Sequence, residues 1–226
     1  GGLNFFYYDE GVVYNAVNPV VLVTFYRVFI ETYPGDSNVL VAMLENGTTG
    51  YITSIVKSTD RGQTWTALTV PNDASGNPLG DYQGSMSYWG SLGIDPNNPD
   101  IIYAGAFTLF KSVDSGATWT EISDWVQNQS LPYVHADQHN IIFINSNKIL
   151  FTNDGGVFLT TDGGSTFSHR NTGLNTTQFY STAIHPTSEY ILGGTQDNGT
   201  WKLPNPGIQV GTEVTGGDGA YVHIDQ

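Results

Sequence analysis

The sequence predicts an all-β fold in which small antiparallel sheets of four strands repeat along the chain. A short motif, Ser/Thr-x-Asp-x-Gly-x-Thr-aromatic, occurs three times at intervals of about 50 residues. A polar or proline-containing turn precedes each copy, and short runs of alternating apolar residues lie between these turns. No segment has a helical period of any length. Together these observations predict a stacked or radial repeat of sheets.

The three motif copies are predicted to form tight turns between strands. In each copy the aspartate carboxylate can accept hydrogen bonds from backbone amides one and two residues further along. The glycine can adopt a positive φ, and the aromatic ring can pack back onto the sheet. We therefore assign these residues a structural role. They are Asp60, Gly62 and Trp65 in the first copy, Asp114, Gly116 and Trp119 in the second, and Asp162, Gly164 and Phe167 in the third.

The turns divide most of the chain into four predicted sheets. The strands are expected at 24–33, 38–45, 50–58 and 64–70, then at 84–95, 100–106, 108–113 and 118–123, then at 139–145, 148–153, 156–161 and 166–170, and finally at 178–185, 190–196, 199–203 and 207–213.

The two ends of the chain predict parts of one further sheet. Residues 4–17 place Asp9 in a hairpin turn like the one at Asp154, so they would supply a second and a third strand. Residues 217–226 would supply an innermost strand, and the shared sheet would remove exposed edges. The chain 1–226 is then a single domain of about five sheets, or a piece of a longer repeat domain. The first residues, Gly1-Gly2 rather than Met, favour a trimmed chain or a piece.

The repeated motif resembles the Asp-box, also called the bacterial neuraminidase repeat, over roughly residues 24–226. The segments His135–His139, Asn153–Gly156 and Gly194–Gly199 are also similar to secreted bacterial members of that family. The resemblance implies a β-propeller in which the motif joins the third and fourth strands of each blade. The family includes sialidases, sortilin-type receptors and xyloglucan-cleaving glycosidases, so the resemblance implies little about activity.

The composition disfavours several classes of partner. The chain has 21 acidic and 7 basic residues and a net charge of −14. This disfavours nucleic acid and anionic membranes, which bind lysine and arginine. No cysteine is present, which excludes disulfides and cysteine catalysis. The longest apolar stretch, Val20–Ile30, is too short to span a bilayer. The abundance of Gly, Asn, Thr and Tyr is typical of exported β-proteins, so we expect an extracellular or cell-surface location.

In a propeller, two kinds of segment surround one mouth of the central channel. They are the turns between second and third strands and the segments that lead into the innermost strands. The unusual polar and aromatic residues of this sequence gather at that end. They are Asp9, Asp154 and Asp197 in turns, His135, Asp137, His139 and Asp218 before or at innermost strands, and Tyr88 and Trp89 along another innermost strand. We expect these residues to form an acidic ring.

Two interpretations of the acidic ring involve no catalysis. Asp-Gly pairs are common in hairpin turns, so each carboxylate could simply stabilise its own turn. Carboxylates around one opening also suit Ca²⁺, which takes oxygen ligands. The alternation of His135, Asp137 and His139 would place three side chains on one strand face, where they could hold a transition metal. Ca²⁺ is therefore a candidate ligand, although the sequence requires no cofactor.

A third interpretation is glycoside hydrolysis, which needs one carboxylic acid and one carboxylate beside the scissile bond. Asp137 could pair with Asp154, Asp197 or Asp218, because crowded carboxyl groups raise one another's pKa. Nearby aromatic residues could stack on sugar rings, namely Tyr82, Tyr88, Trp89 and Tyr133.

A sialidase is disfavoured, because its site needs three arginines to bind the substrate carboxylate. Arg61 lies inside a motif copy and Arg170 follows another, so both belong at the wrong end. Only Arg27 is left.

The expected function is binding of a glycan or an extracellular protein at the acidic mouth. One alternative is a xyloglucanase-like glycoside hydrolase that uses a carboxylate pair. Another is a structural repeat of an extracellular assembly, in which Phe5–Tyr8 and Val20–Ile30 contact other chains in an oligomer. The residues do not identify the ligand.

Overall fold

The computed structural model describes residues 6–9, 12–15, 25–46, 50–72, 76, 79, 89–125, 130–174, 177–205, 207 and 210–225. The chain divides into two compact units, Gly1–Asn171 and Thr172–Gln226, which we call unit 1 and unit 2. The regular elements in the described ranges are all β-strands. Over those ranges, no helix has the length and apolarity that crossing a membrane would require.

The described residues of unit 1 form one hairpin and three four-stranded antiparallel sheets, which we call blades 1 to 3. In each blade the strands follow one another in chain order. The hairpin pairs β1 (Phe6–Asp9) with β2 (Val12–Asn15). Blade 1 is β3 (Phe25–Thr32), β4 (Leu40–Asn46), β5 (Ile52–Ser58) and β6 (Thr66–Leu68); blade 2 is β7 (Ser91–Ile94), β8 (Ile102–Gly105), β9 (Leu109–Ser112) and β10 (Thr120–Glu121); blade 3 is β11 (Gln138–Phe143), β12 (Ile149–Asn153), β13 (Gly156–Thr160) and β14 (Ser168–His169).

Unit 2 contains a fourth sheet of the same kind, blade 4. Its strands are β15 (Phe179–Ile184), β16 (Ile191–Thr195), β17 (Thr200–Leu203) and β18 (Thr212–Thr215). The predicted fold class, all-β with four-stranded antiparallel blades, is therefore confirmed. The hairpin predicted at Asp9 is also present, with Asp9 opposite Val12.

Two strand predictions near the end of the chain are wrong. The last strand of blade 4 is Thr212–Thr215 and not 207–213. Residues 217–225 form no strand, although an innermost strand was predicted over 217–226. The amides of this segment have other acceptors, because Gly219 donates to the Thr195 carbonyl and Val222 donates to the Ser181 hydroxyl. The segment therefore lies beside blade 4 without forming a ladder.

The blades of unit 1 stack face to face with their first strands adjacent. Strand β7 contacts both β3 and β11, so the first strands of the three blades are neighbours. Apolar side chains fill the two gaps between blades. Blades 1 and 2 enclose Val41, Met43, Ile52, Ile55, Trp89, Leu92, Ile94, Ile102 and Ala104. Blades 2 and 3 enclose Tyr103, Leu109, Val134, Ile141, Ile149, Phe151 and Phe158. This is the arrangement that a radial repeat requires.

The three motif turns share one hydrogen-bond pattern, shown by the second copy. The Asp114 carboxylate accepts the Thr118 amide at 2.8 Å and the Thr118 hydroxyl at 2.5 Å. The Ser112 hydroxyl donates to Asp114 and accepts the Gly116 amide. Gly116 has a φ of 80°. The accepted amide lies four residues after the aspartate and not one or two as predicted, because the positive φ of the glycine turns the chain back.

Side chains of one blade also hold the motif turn of the next. Lys57 of blade 1 donates to Ser115 at 2.7 Å and to the Pro99 carbonyl at 3.0 Å. Lys111 and the Tyr103 hydroxyl of blade 2 both donate to the Gly163 carbonyl at 2.9 Å. The blades of unit 1 are thus joined by polar contacts at the end that carries the motif turns, as well as by the apolar core.

Glu45, near the end of β4, is a carboxyl group buried at 2% exposure. Its Oε2 has no hydrogen-bond partner among the described residues. Burial raises the pKa of Glu45, and the charge of Arg27 partly opposes this. The pKa of Glu45 is therefore higher in the folded protein than in the unfolded one, so protonated Glu45 favours the folded state. This stabilisation is fully present below the unfolded pKa and is lost as the pH rises through the folded pKa.

Glu45→Gln should therefore be about as stable as the native protein at pH 4 and about 1 kcal/mol more stable at pH 8, because a neutral amide costs less to bury than a carboxylate. Urea unfolding at several pH values measures this difference. Glu189→Gln, at an exposed position, is the control and should show no such trend. If the difference in unfolding free energy between Glu45→Gln and the native protein is the same at every pH, the raised pKa of Glu45 is contradicted.

Candidate functional site

One end of unit 1 collects the turns that carry the candidate residues. Because each blade is an antiparallel meander, its second-to-third strand turn and the segment before its first strand lie at the same end. The motif turns lie at the opposite end. We call the first of these the mouth end. In blades 2 and 3 it comprises residues 89–90, 106–108, 122–125, 130–137 and 154–155.

His139 and Asp154 form a direct contact at the mouth end. His139 Nε2 lies 2.5 Å from Asp154 Oδ1, and the two side chains are 43% and 38% exposed. His139 belongs to β11 and Asp154 follows β12, so two adjacent strands bring the residues together. The pair presents a carboxylate and an imidazole to solvent, and it is an ion pair whenever the imidazole is protonated.

The turn that carries Asp154 is held by side chains on both sides. Asn153 Oδ1 accepts the Gly155 amide at 3.1 Å. Asn171 donates to the Gly155 carbonyl at 2.7 Å and accepts the Val157 amide at 2.8 Å. A Cβ on Gly155 would overlap the ring of His135. The backbone beside Asp154 is therefore fixed, and glycine is required next to it.

His135, Asp137 and His139 do not share a strand face, and this prediction is wrong. Strand β11 begins at Gln138, so His135 and Asp137 precede it. Asp137 has a φ of 63°, and the pairing of β11 with β12 shifts between Gln138 and Asn140. Alternation with period two therefore does not hold here. Within the described ranges, no group of three or more His, Cys, Asp or Glu side chains is placed to hold a metal ion.

Three aromatic rings form a continuous run at the mouth end of blade 2. Trp89 and Phe107 are 5.3 Å apart between ring centroids at an angle of 70°. Phe107 and Trp125 are 5.4 Å apart at 87°. Trp89 is 7% exposed, whereas Trp125 is 42% exposed. The run thus leads from the blade core to an exposed indole.

Of the three other predicted aromatic residues, only Tyr133 lies in the described ranges, and its ring packs elsewhere. Tyr133 packs edge-on against Phe158 at 5.9 Å, which is core packing. Tyr82 and Tyr88 lie outside the described residues. The sequence interpretation missed Phe107 and Trp125. Phe107 lies in the second-to-third strand turn of blade 2, as Asp154 does in blade 3, so this shared position was a usable signal. Trp125 lies in a loop, and no signal in the sequence pointed to it.

Gln138 connects the aromatic run to the His139–Asp154 pair. Its backbone carbonyl accepts a hydrogen bond from the Gly90 amide at 2.6 Å, and its backbone N–H donates to the Ala106 carbonyl at 2.9 Å. Its side chain donates to the His135 carbonyl at 2.5 Å and accepts from Asn153 at 3.4 Å. Gln138 is fully buried. The sequence interpretation missed it, because a single glutamine at the start of a strand looks like an ordinary exposed residue.

In unit 2, the carboxylate of Asp218 binds the backbone of the other candidate residue, Asp197. Asp218 Oδ1 accepts the Asp197 amide at 2.9 Å, and Asp197 has a φ of 58°. This is the geometry of a carboxylate that stabilises a turn.

Comparisons with known proteins find local similarity to xyloglucanases. No protein-family profile matches the chain. A xyloglucanase of Paenibacillus sp is 39% identical over 75 residues, which are 32% of this chain and 7% of that protein. Xyloglucanase Xgh74A of Acetivibrio thermocellus is 33% identical over 102 residues, 42% of this chain and 12% of that protein. The chain therefore spans only a small part of the length of these relatives.

Solved structures superpose loosely on the chain. YCF48 from Cyanidioschyzon merolae has a TM-score of 0.46 and 16% identity, covering 85% of this chain and 57% of that one. The GH74 xyloglucanase from Xanthomonas campestris has a TM-score of 0.44 and 16% identity, covering 77% of this chain and 29% of that one.

Proposed function

We propose that the mouth end of unit 1 binds a neutral polysaccharide of the xyloglucan type, in a protein of the xyloglucanase-like glycoside hydrolase kind. The observation that carries the proposal is the run Trp89–Phe107–Trp125, which ends in an exposed indole. Local similarity to xyloglucanases supports the choice of ligand.

The chemistry of the mouth end suits a carbohydrate chain. Sugar rings bury their C–H faces against aromatic side chains, and a few polar groups fix their hydroxyls. Trp125 supplies the exposed apolar surface, while His139 and Asp154 supply an exposed donor and acceptor. The net charge of −14 favours a neutral polymer, since an anionic one would be repelled.

Trp125→Ala should weaken binding of xyloglucan oligosaccharides by about 10-fold, because it removes the exposed ring of the run. Isothermal titration calorimetry measures the affinity, with dextran as the comparison polymer. Ile144→Ala is the matched control, because Ile144 is an exposed apolar residue at the motif end of blade 3. If the native protein binds neither polymer, or if both variants weaken binding equally, the proposed function is wrong.

Hydrolysis is a second candidate activity of the same end, favoured by the local similarity to xyloglucanases. One carboxyl group would donate a proton to the departing glycosidic oxygen, and the other would accept a proton from the attacking water. Asp137 and Asp154 are the residues proposed for these two roles.

Release of reducing ends from xyloglucan tests this activity. Asp137→Asn and Asp154→Asn should each lower the rate by about 100-fold or more. Asp225→Asn is the matched control, because Asp225 belongs to an exposed His–Asp pair with His223 at 3.4 Å. If hydrolysis by the native protein survives both mouth-end changes, these carboxylates are not the catalytic pair.

An extracellular location and a protein partner stay predictions from the sequence.

A further inference from the structure

We propose that Gln138 is the positioning residue of the mouth end. Its backbone hydrogen bonds hold the segments beside the aromatic run, and its side-chain amide holds the segments beside the His139–Asp154 pair. This inference rests on the proposed polysaccharide binding. It assigns a role to a residue that is buried away from solvent.

The hydrogen bonds of Gln138 lead toward both halves of the site. Its backbone bonds to Gly90, next to Trp89, and to Ala106, next to Phe107. Its side chain reaches in the other direction, to the His135 carbonyl and to Asn153. Displacing Gln138 would therefore move both halves of the site at once.

The Asn153 contact connects Gln138 to the Asp154 carboxylate. Asn153 donates to Gln138 Oε1 with its Nδ2 and accepts the Gly155 amide with its Oδ1. The Gly155 backbone directly follows Asp154. The orientation of the Asn153 amide thus helps to place Asp154, together with the Asn171 contacts, and Gln138 contributes to the orientation of Asn153.

Only a side chain that both donates and accepts can make this arrangement. The amide donates to a carbonyl at one end and accepts from an amide at the other. Gln138 is fully buried, so bulk water does not reach either bond. The surroundings are shaped to it, because a Cβ on Gly105 would overlap Gln138 and Ser91.

Gln138→Glu separates positioning from simple packing, since it keeps the size of the side chain. An ionised carboxylate cannot donate to the His135 carbonyl, whereas a protonated one can. Burial at this position disfavours the charged form of the introduced carboxyl group, so we expect it to be protonated at pH 5 and ionised at pH 8. We therefore expect xyloglucan affinity about 10-fold below native at pH 8 and close to native at pH 5. Gln138→Leu should bind weakly at both pH values. The mouth end also carries the ionisable side chains of His135, Asp137, His139 and Asp154, so each variant is compared with the native protein at the same pH.

Two further measurements keep the outcome decisive. Gln63→Glu introduces the same change at an exposed motif turn and should bind as the native protein does at both pH values. The NMR signals of the His139 ring, recorded without ligand, should differ from native in Gln138→Glu at pH 8 and return toward native at pH 5.

The proposed function and the role of Gln138 can fail separately. If the native protein binds no xyloglucan, the proposed function is wrong, and the His139 signals still test positioning. If Gln138→Glu binds as native at pH 8, or binds equally weakly at both pH values with unchanged His139 signals, the positioning role is overturned. Should Gln138→Leu not fold, the pH recovery of Gln138→Glu decides alone.

Discussion

Tyr103→Ala should lower the free energy of unfolding by about 3–5 kcal/mol, the cost typical of removing a buried aromatic ring. Tyr103 is fully buried between blades 2 and 3. Its ring meets Phe143 edge-on at 5.6 Å and lies 6.2 Å from Phe151. The truncation therefore opens a cavity at the centre of the contact between two blades. Urea unfolding followed by tryptophan fluorescence measures the loss.

Tyr103→Phe tests whether the ring or the hydroxyl makes the larger contribution. The hydroxyl donates to the Gly163 carbonyl, but Lys111 donates to the same oxygen, so this carbonyl keeps a partner in the variant. We expect a cost of only about 0.5–1.5 kcal/mol. Equal losses for the two variants would show that the hydrogen bond, and not ring packing, joins the blades.

Most of the blade architecture could be predicted because it depends on local signals. The motif fixes a turn by hydrogen bonds within a few residues, as the Asp114–Thr118 contacts show. Strand ranges then follow from the spacing of turns, and β4, β5 and β12 lie close to their predicted ranges. The failure at 217–225 has a non-local cause. The amides of that segment find acceptors on β15 and β16, which no pattern within the segment reveals.

The candidate site could be predicted only in part. His139 and Asp154 come together because neighbouring strands of one meander bring them to the same end. The shared face of His135, Asp137 and His139 failed because the chain bends at Asp137 before the strand begins. Gln138 was missed because its importance comes from burial among distant residues. Burial of a polar side chain depends on tertiary packing, which a single sequence does not display.

Acidification from about pH 4 to about pH 2 should progressively destabilise the blades. In each motif turn, hydrogen bonds to the carboxylate lower its pKa, and the bond from the threonine hydroxyl has the largest effect. For Asp162 the pKa falls to about 2. A folded pKa below the unfolded one means that the stabilisation is present above the unfolded pKa and is lost as the pH falls through the folded pKa. All three motif turns contain such a carboxylate, so the stability that each turn loses on acidification adds to that of the others.

Asp162→Asn identifies the source of the acid effect. Asparagine replaces one carboxylate oxygen by an NH2 group that cannot accept, so one of the two hydrogen bonds from Thr166 is lost and the variant should be less stable than native at pH 7. It should lose less further stability between pH 4 and pH 2, because one titrating carboxylate is gone. Asp225→Asn, which removes an exposed carboxylate, should follow the native profile. Unfolding midpoints in urea at pH 7, 4, 3 and 2 give these slopes. An acid profile of Asp162→Asn as steep as the native one would place the acid sensitivity outside this turn.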